Sequence, residues 1–170
     1  MGTQLVTAFD QPALGGVYKL AAIREPGGEW EPRIKLSEQA VKVSTPGILQ
    51  TRRFVADGEM IADMIFDENL DPGDARTSVD PLDMTRRKHL PANATFQDLL
   101  VPVFRSGERV YHPQTLEAAR ERARDELAKL HPSVKRFVNP HLYPVGLEPR
   151  LHERKTELIL RARAEVARRA

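Results

Sequence analysis

Up to His112, the apolar residues of this chain keep an alternating rhythm for only a few positions before a proline or glycine breaks it. Most of the thirteen prolines and ten glycines fall in that part, so it can build turns and short strands but no long element. Arg33-Ile34-Lys35-Leu36 alternates charged and apolar side chains as a half-buried strand does, and Val41 and Val43 repeat the pattern before a Pro46-Gly47 turn. Leu49 to Val55 and Met60 to Phe66 predict a hairpin around Asp57-Gly58. Residues 71–98 are rich in Asp and Pro and read as an irregular loop. Leu99 to Phe104 and Arg109 to Tyr111 predict a second hairpin around Ser106-Gly107.

Past residue 113 the period changes. Leu116, Ala119, Ala123, Leu127 and Leu130 recur at three and four residues and share one helix face, with Thr115 as the N-cap and Pro132 as the stop. After the connector Asn139 to Pro144, a last helix is expected from near Leu147, carrying Leu147, Leu151, Leu158, Ala162 and Val166 as its stripe. The fold class is therefore α+β, with mostly short antiparallel strands followed by two C-terminal helices. Three regions are expected: a loop and strand over 1–23, a β-rich part over 24–112 that includes the irregular 71–98, and a helical part over 113–170.

Composition removes several classes of function. There is no cysteine, so neither disulfides nor thiolate chemistry is available. No apolar run reaches membrane-spanning length and no basic-then-apolar leader opens the chain, which predicts a soluble, cytoplasmic protein. A net charge of +2 gives no bulk pull toward nucleic acid or membrane. The hydrophobic fraction of 41% is lean for a self-contained globule.

Chemistry is concentrated at the start. Met1-Gly2-Thr3 opens directly on a small polar turn, and amides freed by a glycine turn beside a hydroxyl can cradle a phosphate. Gly2 and Thr3 are thus the binding candidates. Gly15-Gly16 follows, ahead of an apolar stretch from Val17 to Ile23 that reads as a strand. The five histidines, His89, His112, His131, His141 and His152, lack metal-ligand spacing and read as surface or capping groups. Asp63 and Asp67 fall on a strand, while Glu117, Glu121, Asp125 and Glu126 alternate with Arg120, Arg122 and Arg124 as a solvated helix face does. Arg150, Arg154, Lys155, Arg161, Arg163, Arg168 and Arg169 crowd the last helix, and no aromatic follows Tyr143. A solvated face fits these better than a nucleic-acid patch. No catalytic residue is assigned in this chain.

Four blocks carry a resemblance. GTQLVTAFDQPALGGVYKL, RIKLSE, LLVPVF with its following glycine turn, and NPHLYPVGL closely resemble, in this order, the C-terminal portion of the nicotinate phosphoribosyltransferase family. The resemblance implies a fragment of an α/β-barrel enzyme, commonly dimeric, with residues 1–23 at the end of the barrel. It implies ATP-coupled formation of nicotinate mononucleotide from nicotinate and phosphoribosyl pyrophosphate, in NAD salvage, with ATP and magnesium as cofactors. The family's phosphate loop reads Gly-Val-Gly-Thr or Gly-Ile-Gly-Thr, so Thr3 takes the phosphoribosyl pyrophosphate contact and Gly2 the backbone support. Met1 stands where the family has Val or Ile, which points to an internal start within a longer or split gene. The histidine that ATP phosphorylates, and the arginine and tyrosine that hold nicotinate, would then lie in the missing N-terminal portion. Three roles follow as expectations: an enzyme part inactive without that portion, a non-catalytic module that complements a separate barrel half, or an unrelated nucleic-acid binder using the last helix.

Overall fold

The computed structural model describes residues 18–169. The described part opens with a short pair of strands, in which β1 (Ala22–Ile23) lies antiparallel to β2 (Glu31–Pro32). The long hairpin follows as β3 (Leu49–Ala56) and β4 (Glu59–Asp67). Its turn is at Asp57-Gly58, with φ of 51° and 80°. Two successive positive φ angles define the turn whose twist matches a two-residue hairpin, and an Asp-Gly pair tolerates them best.

Around this hairpin a mixed sheet assembles. Its further strands are β5 (Thr77–Val79), β6 (Arg87–His89), β7 (Thr95–Asp98) and β10 (Val145–Leu147), in the order β6-β5-β10-β4-β3-β7. The segment expected to be an irregular loop at 71–98 therefore holds three short strands, two of them at the sheet edges. All neighbours pair antiparallel except β10 and β4, which run parallel with Val145 opposite Asp63 and Leu147 opposite Ile65. A chain returning after residue 140 to slot between β4 and β5 is a long-range pairing that no local pattern announces. The hairpin at Ser106-Gly107 forms, but as only β8 (Phe104–Arg105) and β9 (Glu108–Arg109), separate from the main sheet. The sheet is open, and the described residues form no barrel.

Alternation along β3 and β4 sorts the core. Phe54, Ala62 and Met64 share one face and pack with Leu90 and Ala94 from the loops around β6 and β7. Arg52 joins that face, stacked on Phe66 and Phe96 at 4.9 and 4.1 Å and paired with Asp98. Arg53, Asp63 and Asp67 point to the opposite face.

Two expected strands are absent. Residues 33–36 form no strand: the Arg33 amide donates to the Ala21 carbonyl, while Lys35 donates its amide to the Ser44 hydroxyl and its carbonyl accepts from the Ser44 amide, which closes a local loop. Val41 lies in a 3-10 turn, Ala40–Lys42.

Both helices form. The first, α1 (Leu116–Ala128), begins as expected where Thr115 Oγ1 accepts from the Ala118 amide at 3.2 Å. None of its residues is buried, however, and Leu116 and Leu127 of the expected stripe are 68% and 59% exposed. The helix is held by its polar edge through Glu126 and by the Lys129 carbonyl, which accepts from the Met60 amide. The second, α2 (Pro149–Arg169), starts two residues later than Leu147, which is strand. Pro149 disfavours helical geometry at Glu148, so the Glu148 carboxylate caps the helix by accepting from the Leu151 amide at 3.0 Å. Leu151 is fully buried, while Leu160 and Val166 near the far end are exposed. No helix among the described residues is long and apolar enough to cross a membrane.

Candidate functional site

Gly2, Thr3 and the Gly15-Gly16 pair lie outside the described residues. The phosphate-cradle assignment therefore stands on sequence. What the structure does show is how the polar residues of the described part are spent.

Asp63 is the first node. It is buried on β4 and accepts a bidentate pair from Arg53 directly across on β3, with Nε to Oδ1 at 2.9 Å and Nη2 to Oδ2 at 2.8 Å. The Tyr143 hydroxyl donates to the same carboxylate at 2.9 Å. The remaining Arg53 nitrogen reaches Glu126 on α1 at 2.8 Å, and Lys129 donates to the other Glu126 oxygen. One carboxylate thus ties β3, β4, α1 and the connector before β10 together. Hydrogen bonding to Asp63 drives the Arg53 pKa up, and burial pushes the Tyr143 phenol well above its usual range, so neither titrates in ordinary conditions. Burial raises the Glu126 pKa, but hydrogen bonds from Lys129 and Arg53 outweigh it and leave the group below the usual carboxylate range.

Asp67 is the second node, at the end of β4 and 1% exposed. It accepts from the Ile48 and Asn69 amides at 3.2 and 3.0 Å and from Arg154 of α2 at 3.1 Å. Gly47, at φ 107°, lies against this carboxylate so closely that a Cβ there would collide with it. Both aspartates, placed on a strand by the sequence, tie that strand to its surroundings. Sequence had put Glu126 on a solvated face, whereas it is a partner of Arg53.

The histidines sit largely as expected. His89 Nδ1 is 3.0 Å from the Thr77 hydroxyl on the edge strand, and His131 Nδ1 meets the hydroxyl and amide of Ser133. His112 and His141 are exposed. Half-buried His152 differs: burial and the nearby charges of Arg87 and Lys155 hold its pKa below the ordinary value. No group of three His, Asp or Glu side chains among the described residues could hold a metal ion.

The cations of α2 are not all solvated. Arg150 donates to the Asp71 carbonyl and Glu148, Arg154 to Asp67, and Lys155 is buried. Arg150 stays half exposed, whereas Arg154 and Lys155 are drawn inward although their spacing also fits an outer face. Between the β5–β6 hairpin and Leu142 to Gly146 there is an open cleft of about 630 Å³ with Arg86, Arg87 and His89 on one wall.

An open mixed sheet with two helices and several arginine–carboxylate clasps defines an α+β domain. The comparisons give it a family. A family model described as the nicotinate phosphoribosyltransferase C-terminal domain matches residues 50–155, and the chain belongs to that family. It is 32% identical over 172 residues to the nicotinate phosphoribosyltransferase of Bacillus subtilis (strain 168), covering 93% of this chain and 34% of that protein. It is 30% identical over 153 residues to the nicotinate phosphoribosyltransferase of Rattus norvegicus, covering 89% of this chain and 28% of that protein. The crystal structure of human nicotinic acid phosphoribosyltransferase shares the fold, with a TM-score of 0.58 at 23% identity over 78% of this chain and 27% of that one. The chain thus spans about a third of the length of these relatives.

Proposed function

We propose that this chain is the C-terminal part of a nicotinate phosphoribosyltransferase and works together with a barrel-bearing part that holds nicotinate. The observation that carries this reading is the family match over residues 50–155, within an alignment that takes in 93% of the chain and 34% of the Bacillus relative. In the reaction, the nicotinate ring nitrogen attacks the anomeric carbon of phosphoribosyl pyrophosphate, and the bond to pyrophosphate breaks. ATP hydrolysis supplies further driving force, and magnesium accompanies the phosphates. Neither is assigned to described residues, because the Asp63, Asp67 and Glu126 carboxylates are already engaged by arginines and no three-ligand group is present among them. The role of this chain is to bind: the Gly2 and Thr3 amides and the Thr3 hydroxyl hold a phosphate group and so position the reacting carbon.

A second reading, a complementing module that docks on a separately made barrel half, is favoured by α1. That helix buries no residue and leaves Leu116 and Leu127 exposed, and the connector after it leaves Phe137 and Leu142 101% and 85% exposed. Apolar surface on this scale marks a contact face. Co-expression of the chain with a barrel part, followed by chromatography for nicotinate mononucleotide, tests both readings. Product only when both parts are present supports them; two parts that never associate refute them. In the complete enzyme, Thr3→Ala weakens use of phosphoribosyl pyrophosphate by about 1–2 kcal/mol, the order of one hydrogen bond to a charged group. Unchanged KM and kcat would remove Thr3 from the site.

A further inference from the structure

We infer that the ammonium group of Lys155, with the hydroxyl of Thr45, forms a binding site for a phosphate group. The inference does not need the Gly2–Thr3 assignment. Lys155 lies one helical turn past the buried Leu151 on α2 and is 8% exposed. Its one hydrogen bond among the described residues runs to Thr45 Oγ1 at 3.3 Å, a neutral acceptor. The neighbouring α2 cations are compensated: Arg154 has the Asp67 carboxylate, and the half-exposed Arg150 has Glu148 and the Asp71 carbonyl. No carboxylate within 4.0 Å answers Lys155 among the described residues.

The one charge that acts on the Lys155 pKa is a cation. Lys19 comes close enough to lower its pKa, second only to burial itself. The Lys19 ammonium is held in place by the Lys42 carbonyl at 2.6 Å, on the same stretch of chain that presents Thr45. His152, three residues earlier on α2, senses Lys155 and Arg87 in turn. Burying an ammonium without a counter-charge is costly, and a chain that also brings up a second ammonium increases the cost. The arrangement becomes favourable once an anion enters. A tetrahedral phosphate offers several acceptor oxygens and more than one negative charge, enough for the Lys155 ammonium and the Thr45 hydroxyl together. Its source is either free phosphate or the phosphate of a larger ligand such as phosphoribosyl pyrophosphate.

The test uses the full chain at pH 8 and constant ionic strength, with inorganic phosphate and phosphoribosyl pyrophosphate as separate probes. Millimolar phosphate is expected to raise Tm by about 3 °C, an effect lost in Lys155→Met and reduced in Thr45→Val. Without phosphate, Lys155→Met is expected to melt higher than the parent, because a buried charge is gone. Acetylation of Lys155, followed by mass spectrometry, is expected to slow about fivefold with phosphate while exposed Lys135 is unchanged. This last readout needs no variant and decides the matter if a variant does not fold. A response to inorganic phosphate alone identifies a free-phosphate site; at least tenfold tighter binding of phosphoribosyl pyrophosphate identifies a ligand phosphate. No protection of Lys155 by either probe, or an undiminished Tm shift in Lys155→Met, overturns the inference.

Discussion

Asp63→Ala removes the acceptor at the centre of the largest polar node. In the folded chain, Asp63 takes two charge-assisted hydrogen bonds from Arg53 and one from the Tyr143 hydroxyl, and its side chain is 10% exposed. Breaking a buried pair by deleting one partner costs about 3–5 kcal/mol when the other charge is left alone. Arg53 is not left alone, since Glu126 still accepts one of its nitrogens and its side chain is 21% exposed. That brings the arginine part down to about 2–3 kcal/mol, and the orphaned Tyr143 hydroxyl adds about 1 kcal/mol. The expected loss is thus about 3–4 kcal/mol, a large share of the stability of a typical domain and about 10 °C in Tm. Urea unfolding followed by circular dichroism at 222 nm measures it. Tyr143→Phe alone is expected to cost about 1 kcal/mol and to add little in the Asp63→Ala background, because the bond it removes is already lost. A loss below about 1 kcal/mol for Asp63→Ala, or strict additivity with Tyr143→Phe, would refute the clasp as an energetic unit.

Two further outcomes follow from the same geometry. Gly47→Ala places a Cβ against the Asp67 carboxylate at a φ of 107°, so it is expected to lose about 2–4 kcal/mol and to loosen the Arg154 contact; urea midpoints indistinguishable from the parent would contradict this. His152 is held below its ordinary pKa of 6.5 by burial, then Arg87 and Lys155, so the unfolded chain takes up a proton there before the folded chain does. Stability from this group is fully present above 6.5 and declines as pH falls through the window beneath it. His152→Gln is expected to flatten that decline between pH 7 and 5, and an unchanged slope would show that other groups cause it.

The sequence was read well where the signal is local. Asp57-Gly58 made its hairpin because a two-residue turn with positive φ has few competent residue pairs. Thr115 capped α1 because the hydroxyl and the amide it serves are three residues apart. Readings failed where a residue's partner is distant in the chain. Arg33 to Leu36 had the alternation of a strand but no strand to meet, and Ser44 took up the backbone of Lys35 instead. The apolar spacing along α1 was correct as a pattern, yet among the described residues no element covers it. Glu126 and Arg154 had the spacing of solvent-facing charges, and only the approach of β3 to α1 and of β4 to α2 gave them partners.

The amino-acid sequence by itself determined the turns, the helix ends, the α+β class and, through four blocks of residues, the family. Tertiary structure alone decided that β10 enters the sheet parallel to β4, that Asp63 and Asp67 become clasps, and that Lys155 is buried with a hydroxyl for company. The division has a physical cause. Turn and capping preferences act over three or four residues, whereas sheet order, burial and ion pairing depend on segments up to 110 positions apart, whose meeting is fixed only when the whole sheet closes.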